Sequence, residues 1–227
     1  MNDRAETEQR QNQPERAARG GIPGWLWGVY FVFLAVPVLT ELTFIAADAG
    51  LIGYPRLRAT AYQYGAFWAG LLDNWRPNYA AQPWLMFLTY SFLHAGFWHL
   101  AGNMLALLML IGLLRDDLTG WRFIALYLGS AIGGGLGFAL LGTLLAPMVG
   151  ASGALFGLAG AWRWLEWCDL ASGGARLLAA LRDIALLVVL NFVMWVGQNG
   201  ALAWEAHLGG FLTGVAVMAL LRGSVSR

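Results

Sequence analysis

Between Trp25 and Leu221 the chain is divided into apolar runs of bilayer-spanning length, and this pattern sets its fold class. A helix needs about 20 predominantly apolar residues to cross the hydrocarbon core. The composition agrees: 59% of the 227 residues are hydrophobic and 12% charged, where a soluble domain carries about a quarter charged. So little polar surface cannot face water. The chain is read as an all-α membrane protein.

Six crossings are expected. The first runs from about Trp25 to Ala46, with Trp25, Trp27 and Tyr30 as interfacial anchors and Pro37 inside it. The second spans about Gly96–Leu114, the third Trp121–Leu141, the fourth Gly150–Trp167 and the sixth Ala203–Leu221. The fifth, about Ile184–Gly197, is short, is bounded by Arg182 and Asp183, and contains Asn191. Residues 47–95 mix charges with Tyr54, Tyr62, Trp68, Trp75 and Trp84, the composition of a loop lying in the headgroup region. Residues 1–22, with alternating acids and arginines, are read as a disordered cytoplasmic tail and residues 223–227 as a short second tail. Residues 23–222 form one six-helix membrane domain.

Six crossings put both termini on one side. All 14 basic residues are Arg, and on that side lie Arg115, Arg122, Arg163, Arg176, Arg182 and Arg222 besides those of the tails. Only Arg56, Arg58 and Arg76 lie opposite. The positive-inside rule therefore makes the termini cytoplasmic and the long first loop external. A net charge of +1 without a clustered basic face argues against nucleic acid as a partner. The single cysteine, Cys168, allows no internal disulfide and no cysteine-based metal site.

Polar groups within apolar spans mark function or helix–helix bonding. Ser152 opens the fourth span within Gly150-Ala151-Ser152-Gly153-Ala154-Leu155-Phe156-Gly157, and His207 lies about one turn into the sixth. His99 and Asn103 lie one turn apart on the second. The second, fourth and sixth spans enter from the same side, so these four residues share one depth. A serine hydroxyl becomes a nucleophile when a base takes its proton, and imidazole is the usual base. Gly153 and Gly157 on one span, and Gly210 and Gly214 on the other, would let the two backbones come close. His99 and Asn103 supply donors for an oxyanion, together with the Ser152 N–H. Glu205 is about 200° around the helix from His207, so a Ser-His dyad is expected without a carboxylate partner.

Each feature alone has a plainer reading. Gly-Ala-Ser-Gly is close packing, and His207, His99 and Asn103 are interhelical hydrogen bonds. The three histidines, His94, His99 and His207, also raise a zinc site, but no H-E-x-x-H motif or carboxylate base accompanies them. Their convergence at one depth favours the serine chemistry.

Taken together these residues resemble the rhomboid family of intramembrane serine proteases. Gly150-Ala151-Ser152-Gly153 is similar to its G-A-S-G nucleophile motif, and Ala206-His207-Leu208-Gly209-Gly210 to its A-H-x-x-G motif. His94, His99 and Asn103 are similar to H-x4-H-x3-N, and Gly112, Asp116 and Gly120 more weakly to G-x-x-x-E-x-x-x-G. The resemblance covers about residues 80–222. It implies a six-helix rhomboid-like bundle in which Ser152 attacks a peptide bond, His207 acts as base and then acid, and His99 and Asn103 hold the oxyanion. His94, Gly150 and Phe156 would support the site. It implies transmembrane protein substrates, cut near the outer end of a single span, lateral admission near the fifth span, and no cofactor or metal. The compact form is similar to bacterial members, hence an expected bacterial inner membrane with the active site opening outward. Two positions depart from the family pattern: Trp84-Leu85-Met86 stands where Trp-Arg is frequent, and Phe156 where some relatives have Tyr. Two competing functions are a non-catalytic rhomboid-like factor that binds membrane proteins, and a small transporter lined by the same polar residues.

Overall fold

The computed structural model describes residues 24–115, 117–118, 120–142 and 145–223. The N-terminal tail, Asp116 and residues 224–227 lie outside the described residues; Gly223 ends the last helix. Eight α-helices are present among the described residues: α1 Gly24–Asp48, α2 Leu57–Gly65, α3 Gln82–Thr89, α4 Phe97–Leu114, α5 Trp121–Leu141, α6 Ser152–Asp169, α7 Gly173–Gly197 and α8 Trp204–Gly223. The protein is an all-α helical membrane bundle. Five helices, α1, α4, α5, α7 and α8, are long and apolar enough to cross a membrane. The remaining long helix, α6, has 18 residues and carries Arg163, Glu166 and Asp169 in its last two turns.

The inner group is α5, α6 and α8. Side chains cannot fit where these helices cross, and glycine is what the sequence puts there. A Cβ added at Gly210 would collide with the Gly153 carbonyl, and one at Gly214 with the Gly157 carbonyl. The two glycine pairs expected to bring the spans together thus face each other across the α6–α8 seam. On the other side of α8, a Cβ at Gly209 would strike Gly133 and Gly137 of α5. In lipid there is little hydrophobic drive between helices, so this close backbone approach supplies dispersion in its place. A separate aromatic layer of Tyr30, Phe33, Phe123 and Tyr127 packs α1 against α5 by edge-on and tilted contacts.

One expectation is corrected. The fifth span is not the short segment 184–197: α7 runs for 25 residues from Gly173 and takes in Arg182 and Asp183, the residues expected to bound it. Its charges are accommodated rather than excluded. Asp183, buried, accepts from Arg163 Nε at 2.6 Å, from Trp167 Nε1 at 2.8 Å and from Arg182. Ser172 caps the helix, its hydroxyl accepting from the Ala175 N–H at 3.1 Å.

The first connecting loop is ordered by α2, α3 and short 3-10 turns at Ala69–Leu72 and Tyr90–Phe92. It is clamped to the bundle by an ion pair that the span pattern concealed. Glu41, fully buried in α1, meets Arg58 of α2 at 2.9 Å, and Arg58 also bonds Asp48 at 2.8 Å. Burial works against the Arg58 charge, but its bonds to Glu41, Asp48 and Tyr62 prevail and raise its pKa. Arg58 and Tyr62 both donate to the His94 carbonyl, at 3.0 and 2.6 Å. The loop thus holds the turn that leads into α4.

Candidate active site

The segment before α6 is held in place from outside. Phe67 and Met148 exchange backbone hydrogen bonds at 3.0 Å each way, and the Gly150 N–H donates to the Tyr90 carbonyl at 3.0 Å. Gly150 has φ of +125°, a conformation open to glycine and strained for other residues. Side-chain space is also lacking there, because a Cβ would meet the His99 ring and approach Asn103 Nδ2 at 3.6 Å. This turn delivers Ser152 as the first residue of α6. Its N–H is among the helix-terminal donors that have no intrahelical acceptor.

Ser152 Oγ lies 2.9 Å from His207 Nε2. The distance follows from the seam: α6 and α8 are in backbone contact at Gly153, next to Ser152, and Gly210, one turn beyond His207, so the two side chains span only the remaining gap. His207 is 1% exposed, and Phe156 stacks on its ring at 4.1 Å with an interplanar angle of 10°. The aromatic face expected at Phe156 is present. His207 Nδ1 faces Asn191 Oδ1 of α7 at 2.7 Å. Asn191 is the residue that sequence reasoning missed. Its signal is a carboxamide inside an apolar span, but nothing along the chain pairs it with His207. Both ring nitrogens of His207 are therefore engaged by residues other than Glu205.

His99 and Asn103 sit on α4 as expected, next to Gly150. The Ala95 N–H approaches His99 Nδ1 at 3.4 Å, an arrangement that suits a ring proton on Nε2, the nitrogen that faces Gly150. Asn103 Nδ2 is buried and makes no hydrogen bond among the described residues. Two donors thus lie beside the serine. His94 precedes α4, is fully buried, and sets its ring edge-on to His99 with centroids 5.3 Å apart. Burial, the largest cause, lowers its pKa to about 3, so the His94 ring is neutral.

Two cavities meet at the serine. One, of about 250 Å³, is bounded by Met148, Gly150, Ser152, His99 and His207. The other, of about 570 Å³, runs between α4 and α7, with His99, Asn103 and Ser152 at its base and Leu190 and Met194 on the α7 wall.

Residues 81–224 match the family model of the rhomboid domain, nearly two thirds of the chain. The chain belongs to the rhomboid family. It is 30% identical over 223 residues to Rhomboid-like protease 3 of Toxoplasma gondii, covering 94% of this chain and 78% of that relative. It is 37% identical over 139 residues to the mitochondrial Rhomboid protein 1 of Saccharomyces cerevisiae, and 34% identical over 148 residues to RHOMBOID-like protein 1 of Arabidopsis thaliana. Those matches cover 55% and 64% of this chain but only 38% and 36% of the two relatives. Family and apolar helices together make this rhomboid an integral membrane protein. The matched region begins at α3 and contains Ser152, His207, His99, Asn103 and Asn191, whereas the Glu41–Arg58 clamp lies before it.

Proposed function

We propose that this rhomboid is an intramembrane serine endopeptidase that cleaves single-span membrane proteins near the outer end of their transmembrane segment. The observation that carries the reading is the 2.9 Å approach of Ser152 Oγ to His207 Nε2, beside the donors of His99 and Asn103. Ser152 Oγ attacks the carbonyl carbon of the scissile bond while His207 takes its proton. The oxyanion is held by His99 Nε2, Asn103 Nδ2 and the Ser152 N–H. His207 then protonates the leaving amine, and water, deprotonated by His207, hydrolyses the acyl-enzyme. The Asn103 amide is consistent with this role, being a buried donor with no acceptor among the described residues, a costly arrangement unless something fills it.

The domain comprises residues 23–222, with α6 as the fourth of its six crossings. At about 1.5 Å per residue its 18 residues span roughly 27 Å. The termini are cytoplasmic and the serine faces the outer side, in the inner membrane of a bacterium. A substrate helix enters between α4 and α7.

Ser152→Ala and His207→Ala are each expected to lower cleavage of a model single-span substrate by roughly four orders of magnitude or more, with the double mutant no worse than either. Thermal unfolding in detergent should remain cooperative. Cleavage retained by either variant overturns the assignment. A wild-type protein that neither cleaves nor reacts with a fluorophosphonate, yet co-purifies with membrane proteins, is instead a non-catalytic binding factor.

A further inference from the structure

We propose that Asn191 is a positioning residue for His207, its carboxamide oxygen holding the imidazole in the Nδ1–H tautomer so that Nε2 is left to accept the Ser152 proton. The proposal deepens the serine-protease reading and rests on it.

The orientation of the amide is set by its own helix. Asn191 Nδ2 donates to the Leu187 carbonyl one turn earlier at 2.8 Å, which turns Oδ1 toward His207. That oxygen lies 2.7 Å from His207 Nδ1. A carboxamide oxygen only accepts, so Nδ1 must carry the hydrogen. The neutral ring then has its lone pair on Nε2, 2.9 Å from Ser152 Oγ, which is the arrangement a general base needs. Phe156, stacked on the ring face, keeps the imidazole from swinging out of this line.

The groups facing His207 from the packed helices are Ser152 and Phe156 of α6, Asn191 of α7 and, across the cavity, His99 of α4. No carboxylate bonds to either ring nitrogen among the described residues. A neutral amide suits this depth, where an unpaired carboxylate would be expensive. Without the amide oxygen, Nδ1–H would be a buried donor with no acceptor on a ring that is 1% exposed. The ring would then favour its other tautomer, with Nε2–H directed at the serine, and could not take the proton. The alternative is a plain interhelical bond that holds α7 against α8. The two roles separate in a variant that keeps the acceptor.

Asn191→Leu and Asn191→Asp are compared with the wild type in the full chain, in lipid nanodiscs, by three measurements: kcat and KM on a single-span substrate, the rate of Ser152 labelling by a small fluorophosphonate, and the 15N shifts of the His207 imidazole. The leucine variant is expected to lose roughly 10- to 100-fold in kcat and in labelling rate with KM nearly unchanged. Its imidazole should pass to the Nε2–H form. The aspartate variant keeps an oxygen at the same place and should retain the Nδ1–H form and most of the labelling rate. Wild-type kcat with an unchanged tautomer in Asn191→Leu overturns the proposal. So does equal loss in both variants without a tautomer change, and so does a rise in KM alone, which is the mark of a docking role. The tautomer is read without turnover. Failure of the protease reading is therefore distinct: it would show as a wild type no more active than Ser152→Ala, whatever the 15N spectrum reports.

Discussion

The helices α6 and α7 stand on either side of the same histidine and are held by opposite means. The helix α6 meets α8 through backbone, Gly153 against Gly210 and Gly157 against Gly214. The helix α7 meets its neighbours through side chains, chiefly Asp183 with Arg163 and Trp167 near its middle and Asn191 with His207 two turns further along. Only 6% of its membrane-crossing window is buried, against 39% for α8. A backbone seam has one arrangement and no rotamers to sample, so it fixes the spacing of Ser152 and His207. A helix attached by a few polar side chains has little to break when it tilts. The bundle thus joins a rigid half that sets the Ser152–His207 distance to a lightly held half that borders the α4–α7 cavity.

The comparison breaks most visibly if the seam is forced open. Gly214→Leu places a branched side chain against the Gly157 carbonyl, where even a Cβ does not fit. Overpacking of this kind costs roughly 3 kcal/mol or more. The expected result is a large drop in unfolding temperature and loss of cleavage together, because the displaced helices carry Ser152 and His207. Activity near wild type would mean that α6 and α8 can slide, and the contrast with α7 would fall.

A smaller and more local effect is expected at the α7 anchor. Asp183→Asn leaves Arg163 facing an uncharged amide, and removing one partner of a buried ion pair costs about 3 kcal/mol at most when an amide keeps some of the hydrogen bonds. The loss should stay in one helix. Hydrogen exchange should quicken in the first turns of α7 while amides of α6 and α8 keep their protection. Faster exchange spread evenly over all three helices would show that α7 is no more loosely held than the others.

Much of this was legible in the amino-acid order. Span length found α1, α4, α5 and α8, and the paired glycines found the seam, because both follow from one-dimensional spacing. Ser152, His207, His99 and Asn103 stood out as polar residues at one depth. What escaped were polar residues whose partners lie far away in sequence. Asp183 looked like the boundary of a span because its charge is balanced by Arg163, twenty residues earlier. Glu41 passed unnoticed in an apolar run because Arg58, which neutralises it, belongs to the following loop. Asn191 gave no sign of its partner because nothing in its vicinity indicates that His207, sixteen residues on, meets it. The position of a charge can be read along a chain, but its neutralisation is a property of the folded neighbourhood.

The gentlest test takes a glycine from the loosely held side. Gly197 closes α7, and a Cβ added there meets nothing within 4 Å. Alanine is favoured over glycine in a helix by up to about 1 kcal/mol, less at an end. Gly197→Ala is therefore expected to leave cleavage unchanged and to raise the unfolding temperature slightly or not at all. The same one-carbon addition at Gly210 would meet the Gly153 carbonyl. If Gly197→Ala instead impaired cleavage, the end of α7 would have to bend or close against something during turnover. The light attachment of that helix would then be part of the working cycle, beyond what its resting packing displays.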